Sequence, residues 1–131
     1  MQKYMSMLGV SFVGSFVSFL IGGVDLLVII LLCFVIADYV TGLIASAIEG
    51  KLSSQVGFRG IVRKILVFVL VAASHLLDIS IGWGNHFIRD AIIFFYIINE
   101  FISIVENVGR AGVPLPSFLR KAIELLKDET D

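Results

Sequence analysis

The chain has one cysteine, two prolines and two histidines among 131 residues, and only 16% of its residues are charged. Each shortage excludes a class of protein. A lone Cys33, set in an apolar run, cannot build a disulfide scaffold. The charged fraction is well under the roughly 25% of an ordinary soluble domain. The hydrophobic share of 58% is more than one small soluble domain buries, and it is equally incompatible with disorder. A net charge of −1 lacks the basic excess of a nucleic-acid binder. Motifs of catalysis are missing too: there is no G-x-S-x-G, no H-E-x-x-H, no paired catalytic carboxylate and no phosphate-cradling glycine loop. Ser74-His75 are merely adjacent, and a triad needs spatial convergence. Gly57-Phe58-Arg59-Gly60 is expected to be a bend. The expectation is a protein that is not an enzyme, with no cofactor, no metal and no nucleic-acid partner. What is present is hydrophobic length, with a mean hydropathy of +1.00, and that points to an integral membrane protein whose solvent is lipid.

A spanning helix needs about 20 apolar residues. Four stretches approach this: segment A, residues 8–24; B, 26–48; C, 65–81; and D, 91–108. Every backbone group in such a segment must find its partner internally, so each is predicted helical. The alternation of a barrel strand is missing. The expected fold is an all-α integral membrane protein, a single domain of helical hairpins with four membrane segments and a short C-terminal amphipathic helix. Residues 49–64 form a basic loop and 109–131 a tail. Trp83, in the C–D connector, suits a membrane–water interface. Segment A lacks the cleavage pattern of a removable signal peptide.

If all four segments span, nine of the ten basic residues fall on one side. These include Lys51, Arg59, Arg63 and Lys64 in the basic loop, and only Arg89 falls opposite. The positive-inside rule then places both termini and the basic loop in the cytoplasm. If A lies in the interface or re-enters, Lys3 moves outside and the split is eight to two. Beyond Arg110, Pro114 and Pro116 break the helix. Ser117 then caps a helix to about Lys127, with Phe118, Leu119, Ala122, Leu125 and Leu126 on its apolar face. That helix is read as lying on the membrane surface or against a neighbour.

Two features could carry function. Segment A has a small-residue stripe of Ser11, Gly14, Ser15, Ser18 and Gly22, which suits close helix packing between subunits or against B. Segment B places Asp38, Thr41 and Gly42 on one face, and D places Asn99, Glu100, Ser103, Glu106, Asn107 and Arg110 in one sector. Carboxylates in a membrane are costly and face a bundle interior or water, so these stripes form either a pore or interface seam, or a structural polar seam. Glu106 and Arg110, four apart, are expected to pair. His75 and Asp78 are read as interfacial polar residues rather than a metal site. Met5 and Met7 are conceivable alternative starts that would delete Lys3, but they are read as chance methionine content.

Two stretches resemble a known family. One runs Asp38-Tyr39-Val40-Thr41-Gly42, then Lys51-Leu52-Ser53-Ser54 and Gly57-Phe58-Arg59-Gly60. The other runs Asn99-Glu100, Ser103-Ile104, Glu106-Asn107, then Gly112, Pro114 and Pro116. Together they resemble the toxin-secretion/phage-lysis holins of phages and prophages of Gram-positive bacteria, over roughly residues 25–126. Segment A matches mainly in hydrophobic character. The resemblance implies a homo-oligomer in the bacterial host's cytoplasmic membrane, in contact with its lipids, that assembles into large lesions. These release an endolysin, a peptidoglycan hydrolase, or export a large toxin, without need of direct binding to either. A small oligomeric channel and an anti-holin-type regulator are the competing readings.

Overall fold

The computed structural model describes residues 1–82 and 84–130, with side chains to residue 127. Among the described residues it is all-helical. The helices are α1 (Gln2–Ile21), α2 (Leu26–Ile48), α3 (Ser54–Ile81), α4 (Phe87–Arg110) and α5 (Ser117–Thr130). The first four are long and apolar enough to cross a membrane. Trp83 lies outside the described residues.

Short polar or glycine-rich connectors end each helix. α1 stops at Gly22, whose φ of 84° is left-handed, with Gly22 and Gly23 N–H donating to Phe19 and Ser18 carbonyls. Asp25 Oδ1 then caps α2 by accepting from Val28 N–H at 3.1 Å. Ser53 caps α3 in the same way through Val56 N–H. His86 gives α4 no side-chain cap, although Asn85 Oδ1 accepts from Phe87 N–H at 3.2 Å. Asp78 of α3 supplies one from a distance, accepting from Ile88 N–H at 3.0 Å and Arg89 N–H at 2.9 Å.

The connectors make consecutive helices antiparallel, so α2 and α4 run side by side in the same direction, and their contact is the most extensive in the molecule. Leu31, Val35, Val71 and Ile93 fill the space between α2, α3 and α4. α1 packs mainly against α3 rather than α2. Its burial is confined to its last turn, where Ile21 is enclosed and everything up to Val17 is exposed.

Three expectations change. Residues 54–64 are helical, so the basic loop shrinks to residues 49–53, and Arg59, Arg63 and Lys64 belong to α3. Gly57–Gly60 is helix rather than bend. The C-terminal helix turns a different face inward. Leu119 and Ile123 pack with Leu115 against Ile102 and Val105 of α4, while Phe118 and Leu125 stay exposed.

Candidate functional site

Polar side chains in the bundle gather at two levels. The first is the end holding the α1–α2 and α3–α4 connectors, and its centre is Arg89, whose side chain is 0% exposed. Its Nε donates to Ile21 O at 2.6 Å and its Nη2 to Gly23 O at 3.0 Å. Its Nη1 donates to Asp25 at 2.8 Å and to Asp90 at 2.9 Å. The guanidinium therefore caps the carbonyl end of α1 and ties it to α2 and α4. Hydrogen bonds from Arg89 hold the Asp25 carboxyl below the usual carboxylate range. Gly22 is required here. A Cβ on it would sit 2.7 Å from His75 Nδ1 and 2.9 Å from Arg89 Nε. His75 is buried with Nδ1 unpartnered, and its ring lies 5.4 Å from that of His86. The sequence reading treated Arg89 only as a charge to be counted and missed this role. The signal was available in one arginine flanked by Asp90 and placed opposite Asp25.

The second level lies deep in the bundle. Asp38 is twelve residues into α2 and Glu100 thirteen into α4, each about 18–20 Å from that first end. With a hydrocarbon layer about 30 Å thick, both lie inside it. Lys64 of α3 reaches between them. Its Nζ donates to Asp38 Oδ2, and to Glu100 Oε2 at 2.7 Å and Oε1 at 3.0 Å. The two carboxylates are only 6% and 3% exposed. Asn107, buried on α4, donates to Asp38 Oδ1 at 2.8 Å, Asp38 O at 3.1 Å and Thr41 Oγ1 at 3.1 Å. Thr41 Oγ1 in turn donates to Ala37 O at 2.7 Å. Gly42 lies against Asn107, where a Cβ would stand in ordinary contact, 3.4 Å from Asn107 Nδ2. Tyr39 packs against α3, with its ring edge 3.2 Å from where a Gly60 Cβ would be, and its hydroxyl donates to Gly57 O at 3.3 Å.

Of the residues expected in the seam, Asp38, Thr41, Gly42, Glu100 and Asn107 come together. Ser103 and Glu106 line a polar cavity beside them with Asn99, Asp38, Lys64 and Lys127. Asn99 is exposed. Lys64, assigned to the loop from sequence, is the cation of the cluster. Glu106 pairs with Lys127 of α5 at 2.6 Å rather than with Arg110. Arg110 instead bonds Glu49 at 2.6 Å and Asn107 at 3.2 Å, and it holds the Glu49 carboxyl below its ordinary range. The small-residue stripe divides. Gly22 is packed, Ser18 is half-buried, and Ser11, Gly14 and Ser15 face outward with nothing near Gly14. Packing of the stripe against α2 is therefore not what the fold uses. Lys51, Arg59 and Arg63 are exposed.

The arrangement explains why the two motif stretches go together. The D-Y-x-T-G run provides the carboxylate, the ring and the hydroxyl acceptor. The G-F-x-G run provides the flat surface for the ring, and the N-E-x-x-S-I-x-E-N run provides Glu100 and Asn107 to close the cluster. Residues 15–128 match the model of the bacteriophage holin family. The chain belongs to the bacteriophage holin family. Curated relatives align over most of the chain. An uncharacterized protein of Listeria monocytogenes is 49% identical over 84% of this chain and 78% of its own. An uncharacterized protein of Clostridium perfringens is 39% identical over 95% and 92%. A third, from Bacillus subtilis, is 33% identical over 86% and 79%. No solved structure matches. Family membership and four apolar helices make this a multi-pass membrane protein of the holin type. The family match begins within α1, so the part of that helix ahead of Ser15, about two thirds of its length, lies outside it.

Proposed function

We propose that the protein is a holin that self-associates in the bacterial cytoplasmic membrane and opens lesions large enough to pass a folded endolysin or a large exported toxin. Both termini and the Arg110 end of the bundle face the cytoplasm, the side that collects nine of the ten basic residues when all four helices span. The observation that carries the reading is the α4 face of Asn99, Ser103 and Glu106, which lines a polar cavity continuous with Asp38, Lys64 and Glu100 inside the span of the bundle. Two carboxylates share one ammonium there, and their other exit is a polar groove rather than lipid. Polar groups at that depth belong against another helix or against water.

In the dormant state the groove is hidden by α5 and by neighbouring copies. In the open state many copies, arranged head to tail, turn it toward a water-filled lumen. The exposed part of α1, with Gly14 and Ser15, offers a second close-packing surface for a neighbouring helix. An endolysin or toxin then passes through without a dedicated binding site.

Induced expression of the chain alone, with cytoplasmic reporter enzymes of graded size, tests the reading. A holin gives abrupt arrest and release of the largest reporter at a set time. Release of ions with retention of all enzymes indicates a small channel instead, and unaffected growth indicates a regulator. Replacing Asp38 by Asn and Glu100 by Gln should shift the time of onset. Unchanged timing and conductance in that variant would contradict a role for the seam.

A further inference from the structure

A second cavity, of about 220 Å³, opens between α2, α3 and α4 toward the Arg110 end. Its wall includes Tyr39, Ser46, Arg63, Lys64, Asn107 and Arg110. The positions of these residues agree in depth. Ser46 is twenty residues past the start of α2, about 30 Å along it, and Arg63 is eighteen residues before the end of α3, about 27 Å. Arg110 is twenty-three residues past the start of α4, about 34 Å. Measured from the Arg89 end, all three fall at the far boundary of a hydrocarbon layer about 30 Å thick, the level of lipid phosphates.

The charges at this cavity are unevenly satisfied. Lys64 is held by Asp38 and Glu100, and Arg110 by Glu49 and Asn107. Arg63 has no hydrogen bond or ion pair among the described residues. It is exposed and stands at the cavity wall. Lining side chains sum to three cations against the one carboxylate of Asp38. Leu43 and Val56 add an apolar flank. Basic pockets between spanning helices on the cytoplasmic side are where anionic lipid headgroups seat.

We infer that this cavity binds the phosphate of an anionic glycerophospholipid, with the Arg63 guanidinium as its principal donor and Arg110 beside it. An arginine fork matches a phosphodiester better than a lysine does. The inference depends on the helices spanning the membrane and not on lesion formation, so failure of either claim leaves the other standing.

The test uses the full-length protein in nanodiscs containing phosphatidylcholine with a minor fraction of phosphatidylglycerol. Release into detergent and native mass spectrometry then count retained lipid. The expected result is selective retention of phosphatidylglycerol by the wild type, reduced about fivefold in Arg63→Gln and less in Arg63→Lys. Arg59→Gln serves as the comparison, since Arg59 is exposed on the same helix but does not line the cavity. It should retain lipid like the wild type. Equal loss in Arg59→Gln and Arg63→Gln would show diffuse attraction and overturn the site. So would equal retention of the two lipids by the wild type. Inorganic phosphate added during release separates the sources. Displacement of lipid at millimolar phosphate would make this a free-phosphate site, and persistence of the lipid supports the headgroup. Helical content by circular dichroism distinguishes a lost ligand from a lost fold. If Arg63→Gln does not fold, Arg63→Lys alone decides, through retention below that of Arg59→Gln.

Discussion

The Arg89 clasp and the Lys64 cluster are built from the same parts, one cation between two carboxylates, yet they dispose of charge differently. Arg89 is 0% exposed, but its partners Asp25 and Asp90 are 45% and 40% exposed. The charge of these two partners therefore sits largely in water, while the buried Asp78 carboxyl is taken up by the Ile88 and Arg89 N–H groups, and the buried guanidinium spends its remaining donors on Ile21 and Gly23 carbonyls. At the Lys64 cluster the exposures are reversed. The cation is 22% exposed and the carboxylates 6% and 3%. The excess charge there has no outlet within the subunit except polar cavities. The first arrangement secures a helix end, and the second leaves two carboxylates around one ammonium inside the span of the bundle; under the proposed function, a neighbouring copy or a lumen completes it.

Removing the two cations separates these roles. Lys64→Leu orphans two buried carboxylates and should cost about 3–5 kcal/mol of stability. Adding Asp38→Asn and Glu100→Gln should restore most of it. Arg89→Leu should cost somewhat less, about 2–4 kcal/mol from uncapped carbonyls and lost packing. Its loss should not be rescued by Asp25→Asn with Asp90→Asn, because backbone oxygens remain unpaired. Unfolding titrations of the reconstituted variants measure both. Equal rescue in the two sets would erase the distinction.

Asn107→Ala should cost about 1–3 kcal/mol, since it strips three contacts from Asp38 and Thr41 at a buried position. Gly60→Val should cost about 1–3 kcal/mol by displacing the Tyr39 ring, and Gly60→Ala less. Trimming the ring as Tyr39→Leu in the Gly60→Val background should recover part of the loss. Both are read by the same titrations.

The smallest effect is one of pH. Asp25 titrates below its ordinary range in the folded protein because Arg89 bonds its charged form. The stability this adds is full above the unfolded carboxylate's range and disappears as pH falls through the depressed folded value. With the side chain 45% exposed, solvent screens the pair and the contribution stays under about 1 kcal/mol. Asp25→Asn should flatten the acid limb of stability against pH, leaving neutral stability only slightly lower.

Most of the helical plan was legible because lipid imposes it. Long apolar runs have one backbone solution, and the polar residues inside them mark faces that avoid lipid. Those faces group Asp38, Glu100 and Asn107 from the sequence alone. Lys64 escaped because it sits among loop-like residues and next to Arg63, where charge counting assigns it to topology. α3 starts early for a tertiary reason. Gly57 and Gly60 weaken a helix locally, and the Tyr39 ring that covers them is brought from another helix. Arg89 was hidden by the same logic, since a single basic residue in a short connector reads as an exception to the charge bias. The docking face of α5 was displaced because its amphipathic pattern is broad enough to allow either Leu125 or Ile123 inward, and contact with Ile102 and Val105 selects Ile123.

The central claim is that the α4 seam passes from shelter to water when the protein acts. A single cysteine at Ser103, in a Cys33→Ser background, reports this directly through reaction with a membrane-impermeant thiol reagent in induced cells. Protection throughout the dormant period is expected, followed by rapid labelling coincident with the onset of enzyme release. Labelling that is equally fast before onset, or still absent after release is complete, would contradict it.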